Sequence, residues 1–366
     1  MRDWRLLLIT LVACVPLLEI AVRIADPPLL HVGETVLLLS AVPQRDGQGG
    51  IRFEPNIAVR EVVVAGDKIE YDVRFRTNNR GRVDHRDYVD RDTDERVYAV
   101  VGDSYAMGVE GGEPWLPKLR DETGLELYNF GMGAVGVAEF SRILGQEGAD
   151  LWFSDIVVIA ISDDFTRPLF DLEVVGKDVW FCVQGQSNEQ CRARPAIVHL
   201  VDFDIDEPGL LARARAARAS SAASDGGGGI VLRLLKYSKL LVFLKRLTKP
   251  PVHSGSLQTE LGEQNLQALA GLRGAFPDRR LWFIHVPDKF ETGRRRYDID
   301  LGETVTSYGF EYLPALERCE FTPDLFYEHD NHPNREGYQL LSECVRELLG
   351  FPLETAVTKL PASLVE

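Results

Sequence analysis

The sequence predicts an α/β protein, a three-layer α/β/α sandwich around a parallel sheet, entered through an N-terminal apolar helix and a small β-rich lead-in. Three observations predict it. Residues 97–101 and 156–161 are short, continuous apolar runs, the pattern of strands buried on both faces, and 126–129 is another short strand leading into a glycine-rich turn. Helix-length segments at 115–122 and 138–145 separate them. The same rhythm returns late in the chain, with a helix over 264–276, a strand over 281–286 ended by Pro287, and a last helix over 335–349.

Length and composition set the frame. The 366 residues suffice for one large domain or two modest ones, and no segment repeats. Asp and Glu (56) outnumber Lys and Arg (41), giving a formal charge of -15, which excludes the basic face that non-specific nucleic-acid binding needs. A strongly anionic substrate would need a local basic patch.

Arg2 and Arg5 precede an apolar run at 6–18 that resumes at 20–22, past Glu19, before Arg23. A cleaved leader and an uncleaved anchor compete here. No clear small-residue cleavage site follows, so residues 1–25 read as a signal anchor. The basic side lies inside and the rest of the chain outside the cytoplasm, on a periplasmic or extracellular face. The stretch 11–14, ending in Cys14, also resembles a lipid-attachment box, but the apolar run continues beyond it.

Residues 26–96 read as a tether and β-rich lead-in, with a short strand at 36–39 and strand-like runs REVVVAG and KIEYDVRFRT broken by Asn78, Asn79 and Gly81. Residues 97–350 form the main domain, interrupted by an insertion at about 168–251, and 351–366 form a tail. The insertion holds an Ala/Ser/Arg tract running into Asp225 and four glycines, a flexible-linker composition. A basic amphipathic helix follows over 230–247, suited either to a membrane surface or acidic partner or to core packing with solvated basic side chains.

Of five cysteines, Cys182 and Cys191 bracket a polar octapeptide and could close a small loop in an oxidising compartment. Cys319 and Cys344 read as packing residues. No Cys-x-x-Cys pair points to zinc, and no metal or organic cofactor is expected.

The chemistry concentrates in two places. Gly102-Asp103-Ser104 ends a buried strand and opens a helix, so Ser104 falls at the carboxyl edge of the sheet, where open α/β folds bind ligands. Its amide, near a helix start, could donate to a developing oxyanion. A serine hydroxyl is a poor nucleophile until a base takes its proton. The candidate base is His332, within Glu328-His329-Asp330-Asn331-His332-Pro333-Asn334 and directly before the last helix, with Asp330 orienting its ring. His329 competes for the role, with Glu328 as its orienter. His31, His85, His199, His253 and His285 lack this context and read as surface or packing residues. A metal site built on His329, His332 and Asp330 is a further, weaker reading, because it lacks a third distant ligand.

In order along the chain come GDS, then Asn129-Phe130-Gly131-Met132-Gly133, then the acidic pair in Ser162-Asp163-Asp164-Phe165, then Asp-x-His-Pro-Asn near the end. This succession resembles the SGNH/GDSL hydrolase superfamily over about residues 97–349. Residues 76–81 (RTNNRG) are similar to a lead-in of membrane-anchored bacterial members. The resemblance implies a flavodoxin-like sandwich, Ser104 as nucleophile and its N–H as first oxyanion donor. It implies an acyl-ester substrate, with envelope glycans, lipids or exported esters as candidates and water or a sugar as acceptor. The family's second donor, a glycine amide, falls on Ala134, beside Gly133. The third, an asparagine side chain, falls on Asp163. An ionised carboxylate there would repel an oxyanion at about 4 Å by roughly 4 kcal/mol. The resemblance leaves three outcomes: a protonated Asp163 and activity tuned to acid, a donor role for the Ser162 hydroxyl, or a weak or inactive relative that serves as an envelope binding module.

Overall fold

The computed structural model describes residues 35–45, 47, 49–91, 94–224 and 257–352, together with 14, 16–22, 238 and 240. The strands are β1 (Thr35–Leu39), β2 (Gln44–Arg45), β3 (Ile51–Arg52), β4 (Ala58–Ala65), β5 (Lys68–Arg76), β6 (Val97–Gly102), β7 (Glu126–Asn129), β8 (Asp155–Ala160), β9 (Phe170–Val175), β10 (Asp178–Val183), β11 (Val198–Leu200), β12 (Arg280–His285) and β13 (Glu311–Pro314). The helices that matter to the site are α1 (Ser104–Met107), α2 (Trp115–Thr123), α3 (Val137–Glu147), α4 (Glu207–Ser224), α5 (Glu260–Ala275) and α6 (Arg335–Leu348).

Five strands form a parallel sheet in the order β13-β12-β8-β6-β7. Its residues divide by the two-residue period of a strand. Val97, Ala99, Val101, Ile156, Val158, Leu281 and Phe283 face one core with Phe140, Ile143, Leu144, Leu269 and Leu272 of α3 and α5. Tyr98, Val100, Val157, Ile159, Trp282 and Ile284 face the other, with Trp115, Leu116, Leu119, Leu341 and Val345 of α2 and α6. A sheet apolar on both faces must be covered twice, which makes the three layers.

The expected separation of lead-in and insertion gives way to a joint structure. Strands from both segments build one mixed six-stranded sheet, β5-β4-β1-β11-β10-β9, in which β1 pairs antiparallel with β4 and parallel with β11. The lead-in leaves the far edge of β1 unpaired, and the insertion supplies the strand that closes it. Val36, Leu38, Val62 and Val64 pack beneath Leu210, Ala214 and Ala217 of α4, while Leu37, Val63 and Tyr71 face the parallel-sheet domain.

Cys182–Cys191 forms a disulfide, and so does Cys319–Cys344, both of whose cysteines are buried. The second pair corrects the expectation of two packing thiols: a separation of 25 residues carries no local cue, and the fold brings the chain after Ala315–Arg318 against α6. Residues 16–22 are helical, with Leu17, Leu18 and Ile20 exposed, and the Glu19 carboxylate accepts from Ser238 Oγ (2.8 Å) and the Leu240 amide (2.9 Å). No helix among the described residues is long and apolar enough to cross a membrane, and most of the expected anchor, the 230–247 helix and the 353–366 tail lie outside those residues.

Candidate active site

β6 ends at Gly102, and Asp103 caps α1 by accepting the Tyr105 amide at 2.9 Å, which turns Ser104 to the sheet's carboxyl edge. Gly108 closes this single turn in the left-handed conformation, its amide bonded to Ser104 O. From the far end of the chain, the loop before α6 is pinned in place: Tyr105 Oη donates to Asn331 O (2.7 Å), the Tyr327 amide to His332 O (3.0 Å), and Asn334 caps α6 through the Gly337 amide (3.0 Å).

These constraints bring Ser104 Oγ to 2.8 Å from His332 Nε2, while His332 Nδ1 lies 2.7 Å from Asp330 Oδ1. All three line a cavity of about 320 Å³, together with Gly133, Ala134 and Arg167. A Cβ built on Gly133 would stand 4.0 Å from Ser104 Cβ, so that loop passes directly beside the hydroxyl. Ala134 adopts φ +65°, in the left-handed region that an L-residue rarely occupies.

The other two predicted residues are engaged elsewhere. Asp163 Oδ2 pairs with Arg167 Nε at 2.9 Å, and Asp163 Oδ1 accepts from Thr166 Oγ1 at 3.0 Å. A carboxylate accepting on both oxygens is not a donor, and Asp163 is not among the residues lining the cavity. Ser162 is buried in the same short 3₁₀ turn, donating to Glu291 and sitting 3.1 Å from His285 Nε2. Its hydroxyl is committed to that network. His329 turns to Glu70: its amide donates to Glu70 Oε1 (2.7 Å), and its Nδ1 lies 3.3 Å from the same oxygen. Among the described residues, the one group of three such ligands within 4.8 Å is Glu173, Cys182 and Cys191, whose sulfurs form the disulfide.

The structure adds residues the sequence reading did not single out. Glu110 Oε1 lies 3.6 Å from His332 Nε2, and Glu110 Oε2 accepts from Tyr338 Oη at 2.7 Å. Tyr71 Oη, from β5, reaches both Asp330 Oδ2 and Glu61 Oε1 at 3.2 Å. Arg167 ties Asp103 (3.0 Å), Asp164 (2.7 Å) and Asp163 together. One signal was present: Glu61, beside Arg60, leads into the apolar run 62–65, and a carboxylate buried with that run needs a partner. Glu110 and Arg167 carried no comparable mark.

Electrostatics follow from this crowding. Burial alone lowers the basicity of His332, but Asp330, Glu110 and Glu61 outweigh it and push its pKa up to about 10. Burial, helped by Glu110, raises Glu61 to about 8. Burial raises Glu110 as well. Burial opposes ionisation of Asp330 too, yet His332 and its hydrogen bonds hold that carboxyl below the usual range. The arrangement can do one thing plainly: pass a proton between Ser104 Oγ and an imidazole whose far nitrogen is fixed by a carboxylate.

No protein-family model and no curated protein sequence matches the chain. Solved structures share partial likeness. A protein of Lactobacillus plantarum is 11% identical over 71% of this chain and 98% of its own, with a TM-score of 0.36. LAE5, an alpha/beta hydrolase enzyme from the metagenome of Lake Arreo, is 11% identical over 72% of this chain and 97% of its own, with a TM-score of 0.34. An acetyl xylan esterase of the rumen bacterium Butyrivibrio proteoclasticus is 13% identical over 70% and 64%, with a TM-score of 0.30. Likeness at this level bears on neither activity nor substrate.

Proposed function

We propose that the chain is a serine-dependent acyl-ester hydrolase, or the closely related O-acyl transferase, of the SGNH/GDSL type. The hydrogen-bonded series from Ser104 Oγ through His332 to Asp330, at 2.8 and 2.7 Å, carries this reading. Ser104 Oγ attacks the ester carbonyl carbon as its proton passes to His332 Nε2. The C–O bond to the alcohol then breaks, and the alcohol leaves with that proton. Water, or a second alcohol, gives a proton to His332 and attacks the acyl-enzyme, releasing the acid or new ester and restoring Ser104. The oxyanion is held by the backbone N–H groups of Ser104 and Ala134. No third donor comes from Asp163, which implies about 10²–10³ less rate than a three-donor site.

Two disulfides and the basic-then-apolar N-terminus support a location outside the cytoplasm, with esters of the cell envelope or exported esters as substrates. Reaction with a small fluorophosphonate tests the chemistry. Ser104 should be modified in the wild-type chain and left unmodified in His332→Ala. If Ser104 stays unmodified in the wild type, the cleft is a binding module instead.

A further inference from the structure

The mixed sheet does more than brace the domain. Strand register sets Tyr71 opposite Val63, Val63 opposite Leu37, Leu37 opposite Val198, and Val198 opposite Val179. These five residues form one row across β5, β4, β1, β11 and β10, on the face turned away from α4, and all five line the same cavity as Ser104 and His332. At about 4.8 Å per strand spacing, four steps run roughly 19 Å. The row begins in the catalytic network, where Tyr71 Oη meets Asp330, and continues through four aliphatic side chains. Polar groups therefore gather at one end and apolar ones along the rest.

Leu37 is the partly exposed member of this aliphatic row, and Val63, Val198 and Val179 are 3%, 1% and 0% exposed, so an apolar occupant entering at Leu37 would bed against side chains that water does not reach. We infer that the row formed by Val63, Leu37, Val198 and Val179 is the acyl-chain site, and that the substrate is an ester of a medium-length aliphatic acid rather than of acetate. This rests on the hydrolase reading above and adds the acid's identity to it. The 320 Å³ cavity, which also contains the polar end around Ser104 and His332, sets an upper bound of about ten methylene-sized groups, if each takes the roughly 30 Å³ of a water molecule in the liquid. The sheet supplying this wall joins lead-in and insertion, so the segments that interrupt the α/β pattern become the specificity element.

The test uses the full chain and p-nitrophenyl esters from acetate to dodecanoate. Catalytic efficiency, kcat/KM, should rise roughly fourfold for each methylene buried, levelling near ten carbons. Val198→Phe, which fills the trough, should lower the octanoate-to-acetate ratio of kcat/KM by about tenfold or more. A ratio is read within one protein, so partial loss of folded material does not mimic the effect, and the wild-type chain-length profile stands without any variant. A wild-type preference for acetate, or an unchanged ratio in Val198→Phe, overturns the acyl-chain site. If Ser104 is still modified by ethyl fluorophosphonate in that case, the hydrolase reading survives. Absence of both modification and turnover overturns the hydrolase reading, and the inference with it.

Discussion

Two serine–histidine contacts stand on the carboxyl edge of one parallel sheet. Ser104, after β6, meets His332 at 2.8 Å, and Ser162, after β8, meets His285 at 3.1 Å. By distance alone they are nearly equivalent. They differ in what holds the far ring nitrogen, which is the Asp330 carboxylate at 2.7 Å for His332 and the Tyr312 phenol at 3.0 Å for His285. They differ in access: the His332 side chain is 25% exposed at the cavity, and His285 is 0% exposed and stacked on Tyr297. Charge then separates them completely, since three carboxylates push His332 up to about 10 while unrelieved burial takes His285 down to about 3. A serine beside a histidine is thus no catalytic pair by itself. The carboxylate that orients and the cavity that admits a substrate make the difference.

The largest test of this contrast is catalytic. Ser104→Ala and His332→Ala should each lower ester turnover by about 10⁴–10⁶. Ser162→Ala should lower it less than about tenfold, while costing about 1–3 kcal/mol of stability because Glu291 and His285 lose a buried partner. Parallel kinetics and urea unfolding separate the two effects. Comparable loss of turnover in Ser162→Ala would erase the distinction.

Next in size is the charge that surrounds the cleft. Arg167 pairs with Asp103 and Asp164, whose side chains are 0% exposed, as well as with Asp163. Arg167→Met strands buried carboxylates, and urea unfolding should show a loss of about 3–5 kcal/mol.

The two histidines should also shape stability against pH in opposite senses. His332 has a folded pKa near 10 against an ordinary 6.5, so its contribution is complete below about 6.5 and disappears as pH rises toward 10. His285 has a folded pKa near 3, so its contribution is complete above about 6.5 and disappears as pH falls toward 3. Glu61, raised by burial to about 8, adds a loss with rising pH that begins near pH 4.5, so thermal midpoints should fall toward both pH 3 and pH 10 from a maximum below about pH 6.5. Turnover should keep rising with pH toward 10, because only neutral His332 accepts the Ser104 proton. Glu110→Gln removes a charge that raises His332, and should move both the rise in turnover and the alkaline loss of stability to lower pH. An unmoved profile would exclude Glu110 from setting the basicity of His332.

How much of this was legible in the sequence follows from how local each feature is. The parallel strands were readable because continuous apolar runs such as 156–161 need two covered faces, wherever those covers come from. Ser104, Asp330 and His332 were readable because each sits in a short motif beside a helix start. The mixed sheet was not, since Leu37 pairs with Val198 across the whole first half of the parallel domain, and the short strands β9 and β10 stand ahead of a tract whose linker composition dominates the insertion. Ser162 misled for the converse reason. It is a sequence neighbour of the expected donor, but its hydroxyl is buried, donates to Glu291 and does not line the cavity.

The smallest difference between the two regions lies in the backbone. Among the described residues, Asn56, Ala134 and Arg295 are the non-glycine residues at positive φ, and Ala134, at +65°, is the one with no polar side chain to offset the conformation. Crowding of Cβ against the following carbonyl costs an L-residue there about 1–2 kcal/mol. Glycine escapes that crowding but forfeits about 0.5–1 kcal/mol through the extra freedom of its unfolded chain. Ala134→Gly should therefore stabilise the fold by between zero and about 1.5 kcal/mol, read as a small upward shift of the urea midpoint. It keeps the backbone N–H of a residue that lines the cavity with Ser104, so turnover should stay within a few-fold of the wild type. A drop of more than about tenfold would mean that the rigidity of alanine, and not only its amide, holds the oxyanion site in shape.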